Sequence, residues 1–402
     1  MNIWLNIIGV GDDGLDYLHP DAARALADAT LIIGGQRHID MLPENDSRPK
    51  MIWPSPLMKL VDDVLQRRGE TIVILATGDP MQYGIGVTFA KRLPKSEFAV
   101  FPALSAFSLA AARLGWDLSR TTTLTLHGRP LELLLPHLRP NARLMALSDN
   151  GNTPAEVADL LCREGYEDSV LTVLEHMGGL QEQIKALRAK DWAGQVCKEL
   201  NTIAIDCVAS TGTQPVPSSP GLADDAFIHD GQLTKKEIRS TTLAALTPIN
   251  GQLLWDVGAG SGSIGIEWMR LCVLNQAIAI EDKKDRLEFI EQNRRRLGVP
   301  GLKIAAGTAP NALEDLPAPD RIFIGGGITG DGVFDTCWHH LKPGGVLVAN
   351  TVTTQGESLA FNLAERYDGD LTRLDFARAV KIGNFTSWKP FRQVTQLRLV
   401  KK

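Results

Sequence analysis

The chain has 402 residues, 44% hydrophobic and 22% charged, with a formal net charge of −5 at pH 7. That length suits two or three domains, each large enough to bury a core without disulfide or metal staples. The acidic balance argues against a general nucleic-acid binder, no run of 18 apolar residues offers a membrane span, and the opening Met1–Val10 lacks the basic region of a secretory leader.

In the first half, β and α signals alternate. Leu5–Val10 reads as a buried strand running into Gly11-Asp12-Asp13-Gly14, and Pro20–Ala29 as a helix. Leu31–Ile33 is a short strand, and Thr71–Ala76 a strand followed by Thr77-Gly78-Asp79-Pro80 and a helix over Gly84–Arg92. Ala99–Phe101 is a strand before Pro102-Ala-Leu-Ser105, and Ala106–Leu114 a helix closed by Gly115. A second series follows a shift near Asp117–Arg120, with strands at Thr122–Leu126, Arg143–Leu147, Ser169–Leu174 and Thr202–Val208. Alternation of this kind implies a mainly parallel or mixed α/β architecture with covered sheet faces.

Residues 209–223 carry three prolines among Ser, Thr and Gly, which neither a helix nor a central strand tolerates. We read them as a linker or surface strap between a domain over 1–208 and another over 224–402. In the second domain strands are expected at Leu253–Val257, Ala277–Ile280, Lys303–Ala305, Arg321–Ile324, Val346–Ala349 and Gln393–Val400. Helices are expected at Ser263–Arg270, Arg286–Leu297 and Phe361–Glu365. Five scattered cysteines form no CxxC pair and no zinc spacing, so we expect buried free thiols, a reducing compartment (the cytoplasm) and no metal site.

The strongest chemical signal is Asp256-Val-Gly258-Ala-Gly260-Ser-Gly262, a glycine loop between a strand and a helix start. Glycines allow positive φ and close approach of a ligand, and the helix N-terminus offers free N–H groups. Glu281, closing the next strand, is placed to take ribose hydroxyls. These features alone fit a nicotinamide dinucleotide as well as S-adenosylmethionine, since Gly260-x-Gly262-x-x-Gly265 is also a dinucleotide fingerprint. The turn Leu341-Lys-Pro-Gly-Gly345 before an apolar strand resembles the fifth strand of Rossmann-like methyltransferases, and Asp256 fits that family too. The resemblance favours S-adenosylmethionine.

Upstream, Phe227-Ile-His-Asp230-Gly-Gln-Leu-Thr234-Lys-Lys-Glu237-Ile-Arg239 contains a candidate N-cap, Thr234, with Glu237 in capping-box register. The same stretch is similar to the opening segment of the CbiT-type precorrin methyltransferases of the cobalamin pathway, which implies that Thr234 lies at the cofactor. Gly307-Thr308-Ala309-Pro310 matches that family's loop beside the adenine. The cofactor residues implied are Thr234, Gly258, Ala259, Gly260, Ser261, Gly262, Glu281 and Ala309.

The first half resembles the tetrapyrrole methylase family, most closely its CbiE branch. The resemblance rests on Ile8-Gly-Val-Gly11, Gly34-Gly35-Gln-Arg37-His38, Gly78-Asp79-Pro80-Met81, Pro102-Ala-Leu-Ser105-Ala106, His127-Gly128-Arg129 and Leu174-Glu175-His-Met-Gly, in that order. It implies two α/β subdomains with a second S-adenosylmethionine site between them, lined by Gly78, Asp79, Met81, Ser105 and Ala106. Two departures stand out: Gly11-Asp12-Asp13-Gly14 replaces a Gly-x-Gly-Pro-Gly loop, and Pro102-Ala103-Leu104-Ser105 replaces Pro-Gly-(Ile/Val)-Ser.

A fusion of the two resembles the decarboxylating precorrin C5,15-methyltransferases. That implies methylation of C5 and C15 of precorrin-6B, with loss of the ring C acetate carboxyl, to give precorrin-8X, in a protein expected to self-associate. Methyl transfer from a sulfonium needs placement more than side-chain chemistry, so no catalytic residue is assigned. A polycarboxylate substrate calls for basic residues, with Arg239, Arg321, Arg378, Lys381, Arg37 and Arg129 as candidates. His229, His339 and His340 read as structural, and Arg294–Arg296 as a solvated helix face. Other readings are an RNA or protein methyltransferase carrying a non-catalytic partner domain, and a nicotinamide-dependent oxidoreductase.

Overall fold

The computed structural model describes residues 3–54 and 56–402. The chain forms two compact units, Met1–Leu131 with Arg139–Gln214, and Glu132–Leu138 with Pro215–Lys402.

The first unit opens with β1 (Leu5–Val10), α1 (Pro20–Ala27), β2 (Leu31–Gly34), α2 (Gln36–Asp40), β3 (Lys50–Ile52) and α3 (Met58–Leu65). It continues through β4 (Ile72–Thr77), α4 (Ile85–Ala90), β5 (Phe98–Phe101) and α5 (Ala106–Leu114). The five strands pair in the order β3-β2-β4-β1-β5, all parallel. Both faces are covered, which is why these strands read as unbroken apolar runs. Leu5, Ile7, Ile33, Ile72 and Ile74 enter one core, and Ile8, Val10, Ile32, Val73 and Leu75 enter the other. Each such side chain, fully buried, contributes about 1.5–3 kcal/mol. Ser105 starts α5 by accepting the N–H of Ser108, and Gly115 ends it at φ +66.

A second sheet begins after the turn at Leu118–Arg120. Its strands are β6 (Thr122–Thr125), β7 (Arg143–Leu147), β8 (Val170–Glu175), β9 (Gln183–Arg188) and β10 (Asn201–Asp206), with α6 (Thr153–Arg163) between β7 and β8. The order is β6-β7-β10-β8-β9, and only β6 and β7 run parallel.

The second unit contains α7 (Lys236–Leu246), β11 (Leu253–Val257), α8 (Ser263–Leu271), β12 (Gln276–Glu281), α9 (Lys284–Arg296) and β13 (Lys303–Ala306). Then follow β14 (Arg321–Ile324), α10 (Val333–His340), β15 (Val346–Thr351), α11 (Thr354–Tyr367) and β16 (Asp370–Leu374). Last come β17 (Ala377–Ile382), β18 (Phe385–Pro390) and β19 (Val394–Val400). The sheet order is β13-β12-β11-β14-β15-β19-β16, with β19 antiparallel to both its neighbours. Strand order reverses between β11 and β14, and a doubly wound sheet opens its ligand crevice at such a point. Trp255 and Trp268, both fully buried, fill the cores on the two faces. The hairpin β17–β18 stands apart from the sheet and exposes Ile382, Phe385 and Trp388.

Several expectations need correction. The helix expected at 361–365 is the end of a helix running from Thr354 to Tyr367. Thr234 does not cap α7: the N-cap falls one residue later, on Lys235, whose ammonium has no lone pair to accept an N–H, and Glu237 pairs with Arg378. Only Cys207 and Cys337 are buried, Cys197 and Cys272 are half-buried, and Cys162 is exposed. The proline-rich stretch is tied down. Thr213 Oγ1 donates to Gly165 O, Gly221 and Leu222 donate their N–H groups to Glu267, and Arg270 holds the carbonyls of Val216 and Pro217. Among the described residues, no helix is long and apolar enough to cross a membrane.

Candidate active site

The second unit holds a cleft of about 950 Å³ at the reversal point. Its floor is the loop after β11, where Gly258, Gly260 and Gly262 take φ of +71, +59 and +78. Gly258 and Ala259 donate to Ile280 O, which pins the loop to β12. A Cβ on Gly258 would lie 3.2 Å from the backbone of Gly326, so glycine is needed there for close approach as well as for φ. Thr234, Gly258, Ala259, Gly260, Ser261, Glu281 and Ala309 all line the cleft. Gly262 does not: it turns the chain into α8, and a Cβ there would meet Ile290 at 3.2 Å.

Glu281 is 4% exposed. Its carboxylate accepts the N–H of Gly260 at 2.8 Å and those of Asp282 and Lys283 at 3.2 Å. Three backbone donors therefore fix the acid before any ligand arrives. Asp256, 1% exposed, accepts from Gly265 N at 2.9 Å through one oxygen, while the other is buried without a partner. Burial pushes its carboxyl up to about 7, opposed by the Gly265 N–H and helped by the charge of Glu281. The Ser261 hydroxyl is likewise buried and unpartnered. A nucleoside ligand with hydroxyl and amine donors suits this lining of glycine backbone, buried acid and unsatisfied oxygen.

Sequence reasoning missed Asn293, which is fully buried in α9. Its side chain exchanges hydrogen bonds with Ile228 N and O at 2.8 and 2.9 Å and donates to Ser261 O at 3.0 Å. It thus ties the lead-in segment to the glycine loop. An asparagine one turn from the end of a highly charged helix gives no sign of this. Asn350, in β15, also lines the cleft, held by Thr242 and Gln396.

The basic candidates are mostly structural. Arg239 is fully buried and binds Glu267 at 2.8 Å, Asp224 at 2.8 Å and the carbonyls of Thr234 and Leu222, with its guanidinium over Phe227. Arg321 is buried against Leu246 O at 2.7 Å. Arg378 forks onto Glu237 and reaches Asp224 at 2.8 Å. Burial works against the charge of Asp224, but the hydrogen bonds from Arg239 and Arg378 outweigh it and hold that carboxyl low. Lys381 and Arg129 are exposed and line neither this cleft nor the cavity of the first unit. Of the cations that do line the large cleft, Arg286 is bound to Asp230 and Gln232, whereas Lys235 and Arg392 have no polar side-chain partner among the described residues. Arg294 is less solvated than expected, since it holds Glu291 and the carbonyls of Pro300 and Leu302. His340 bonds Thr336 O and lies against Trp255, and His229 accepts the Gly231 N–H, so both serve the fold.

The first unit has a narrower cavity of about 50 Å³ between its two sheets. Gly78 and Ala106 line it, together with Gly11, Asp12, Arg37, Thr77, Leu104 and His176. Asp79, Met81 and Ser105 do not. Asp79 accepts the Met81 N–H at 2.8 Å, Met81 points outward and is 45% exposed, and Ser105 is spent on capping α5. The loops meet tightly: Ala103 N donates to Gly78 O, and a Cβ on Gly9 would come within 2.0 Å of that oxygen.

Comparison with known proteins matches residues 225–401 to the precorrin methyltransferase domain and residues 5–193 to the tetrapyrrole (corrin/porphyrin) methylases. The chain is 45% identical over 393 residues to a precorrin-6Y C(5,15)-methyltransferase [decarboxylating] of Sinorhizobium, covering 98% of this chain and 95% of that one. Two shorter relatives each span about half of it. A probable cobalt-precorrin-6B C(15)-methyltransferase (decarboxylating) of Pyrobaculum aerophilum is 32% identical over 44% of this chain and 94% of its own. A cobalt-precorrin-7 C(5)-methyltransferase of Salmonella typhimurium is 25% identical over 50% of this chain and 98% of its own.

Proposed function

The chain belongs to the family of decarboxylating precorrin-6Y C(5,15)-methyltransferases, S-adenosylmethionine-dependent enzymes of cobalamin biosynthesis, and from that premise we propose one cofactor site and one methyl transfer in each unit. Family membership sets aside the RNA, protein and nicotinamide readings. The proposal assigns C15 methylation and loss of the ring C acetate carboxyl of precorrin-6B to the second unit, and C5 methylation to the first.

One observation carries it: the glycine loop and Glu281 of one βαβ unit line a single cleft with Thr234 from before that unit and Ala309 from after it, in a unit that has its own core. S-adenosylmethionine supplies an electrophilic methyl group when bound. The residues then have three tasks. Glu281, already oriented, takes the ribose hydroxyls. The glycine loop and Ser261 receive the rest of the nucleoside and the amino-acid end. Lys235 and Arg392 hold carboxylates of the tetrapyrrole that are kept, because a cation clamped on the departing carboxylate would stabilise it against loss. In the first unit Gly78 and Ala106 flank the second site. A cytoplasmic setting and self-association are part of the proposal, since the donor pool is intracellular and the apolar hairpin side chains Phe385 and Trp388 are exposed.

Isothermal titration of the whole chain with S-adenosylhomocysteine tests the two-site claim. Two equivalents per chain are expected. Glu281→Gln should weaken one by about 10–100-fold, the value of a charge-assisted hydrogen bond. Ala106→Leu should remove the other. A single equivalent that both variants weaken together defeats the proposal.

A further inference from the structure

We infer that His176, oriented by Asp12, is the general base that takes the proton from C5 in the first unit. The inference rests on the assignment of C5 methylation to that unit.

Both residues line the narrow cavity beside Gly78. His176 Nδ1 lies 3.0 Å from Asp12 Oδ2, and Asp12 Oδ1 accepts from Arg37 Nη1 at 2.7 Å. Arg37 is itself fixed by Thr77 Oγ1 at 3.0 Å and His38 Nε2 at 3.2 Å. Burial first, and then the Arg37 charge, bring His38 down to about 4, so it is neutral and accepts from Arg37. A carboxylate at Nδ1 selects the tautomer that carries its proton there, leaving Nε2 as a free lone pair. His176 also sits at φ +47, a left-handed conformation that non-glycine residues rarely adopt and that recurs at functional sites. The neighbouring acids are otherwise engaged: Glu175 receives the Lys198 N–H, and Glu182 receives the Gly178 N–H and pairs with Arg113.

The chemistry requires such a group. Replacing C5–H by C5–CH3 breaks the S–CH3 bond, whose electron pair stays on sulfur, and forms C–C from a pair of the macrocycle. The C5–H pair then returns to the macrocycle, and one proton must leave. His176 Nε2 accepts it, and Asp12 stabilises the imidazolium. Asp12 and Asp13 stand where the family resemblance leads one to expect Pro-Gly, so the departing loop supplies the orienting acid.

The test uses the full chain, precorrin-6B and mass spectrometry of the product. His176→Gln should accumulate a decarboxylated product with one added methyl, and slow the second methylation by about 10²–10⁴-fold. The loss should persist at saturating S-adenosylmethionine, which separates lost proton transfer from weakened cofactor binding. In the parent the second methylation should fall in acid, where a protonated imidazole cannot accept the proton. Asp12→Asn should move that acid limb to lower pH, since the charge favouring the imidazolium is gone, and it carries the test if His176→Gln misfolds. Two methyls at the parental rate, or an acid limb unmoved in both variants, overturns the base. Ala106→Leu separates the two claims. If it loses one binding equivalent yet still transfers both methyls, the assignment of C5 chemistry to this unit fails. If it stops at one methyl while the dyad variants behave as the parent, only the dyad fails.

Discussion

Asp256 makes the second unit's stability depend on pH in a direction opposite to that of a salt-bridged carboxylate. Its carboxyl is held at about 7, against an ordinary value of 3.8, chiefly by burial. The folded state therefore binds a proton that the unfolded chain has already released. The stabilisation is complete below 3.8 and disappears as pH rises through 7. With those two values, linkage gives about 2.5 kcal/mol at pH 5 and almost nothing at pH 8. Asp256→Asn keeps an oxygen for the Gly265 N–H but cannot titrate, so its stability should lack this decline. The measurement is urea unfolding from pH 5 to 8, read by hydrogen exchange in peptides from β11 and α8. The parent should lose stability relative to Asp256→Asn across that range. Parallel curves, within about 0.5 kcal/mol, would show that the buried oxygen does not titrate as argued.

Two further outcomes follow from the cations. Arg239→Met leaves the buried Glu267 carboxylate with only the Gly221 and Leu222 N–H groups, leaves Asp224 to Arg378 alone among cations, and frees the carbonyls of Thr234 and Leu222, so it should cost the second unit about 3–5 kcal/mol in the same urea assay; a loss under about 1 kcal/mol would contradict a buried ion-pair role. Lys235→Met or Arg392→Met should raise KM for the polycarboxylate substrate about tenfold, with little change in kcat and a flatter salt dependence, while a fall in kcat at constant KM would assign them to the chemistry instead.

The sequence showed the second unit's cofactor floor clearly because glycine, strand and acid are local signals. Gly258–Ser261 and Glu281 lie within one βαβ unit, where spacing alone dictates proximity. The first unit's cavity was harder to read. Asp79 and Ser105 are polar residues in the right loops, yet both are consumed by turn and cap bonds that a motif cannot distinguish from ligand contacts. The arginines misled for a related reason. Arg239, Arg321 and Arg378 look alike as letters, and only the fold shows that each faces carbonyls or carboxylates of its own chain. Lys235 escaped notice as one member of a Lys-Lys pair. The hairpin β17–β18, with nearly every side chain exposed, has no buried face to impose an alternating pattern, so no periodicity announced it. Asp12 and His176, 164 positions apart, meet only because β1 and β8 end at the same cavity.

The left-handed backbone at position 176 separates what the fold prefers from what the reaction needs. Glycine or asparagine would relax the backbone at that residue, whereas histidine strains it. A selection for heat resistance alone would draw this position toward those replacements and discard the proton acceptor with no visible defect in folding. Chains that retain histidine there under such pressure would reveal that a second methyl group is still being demanded of them.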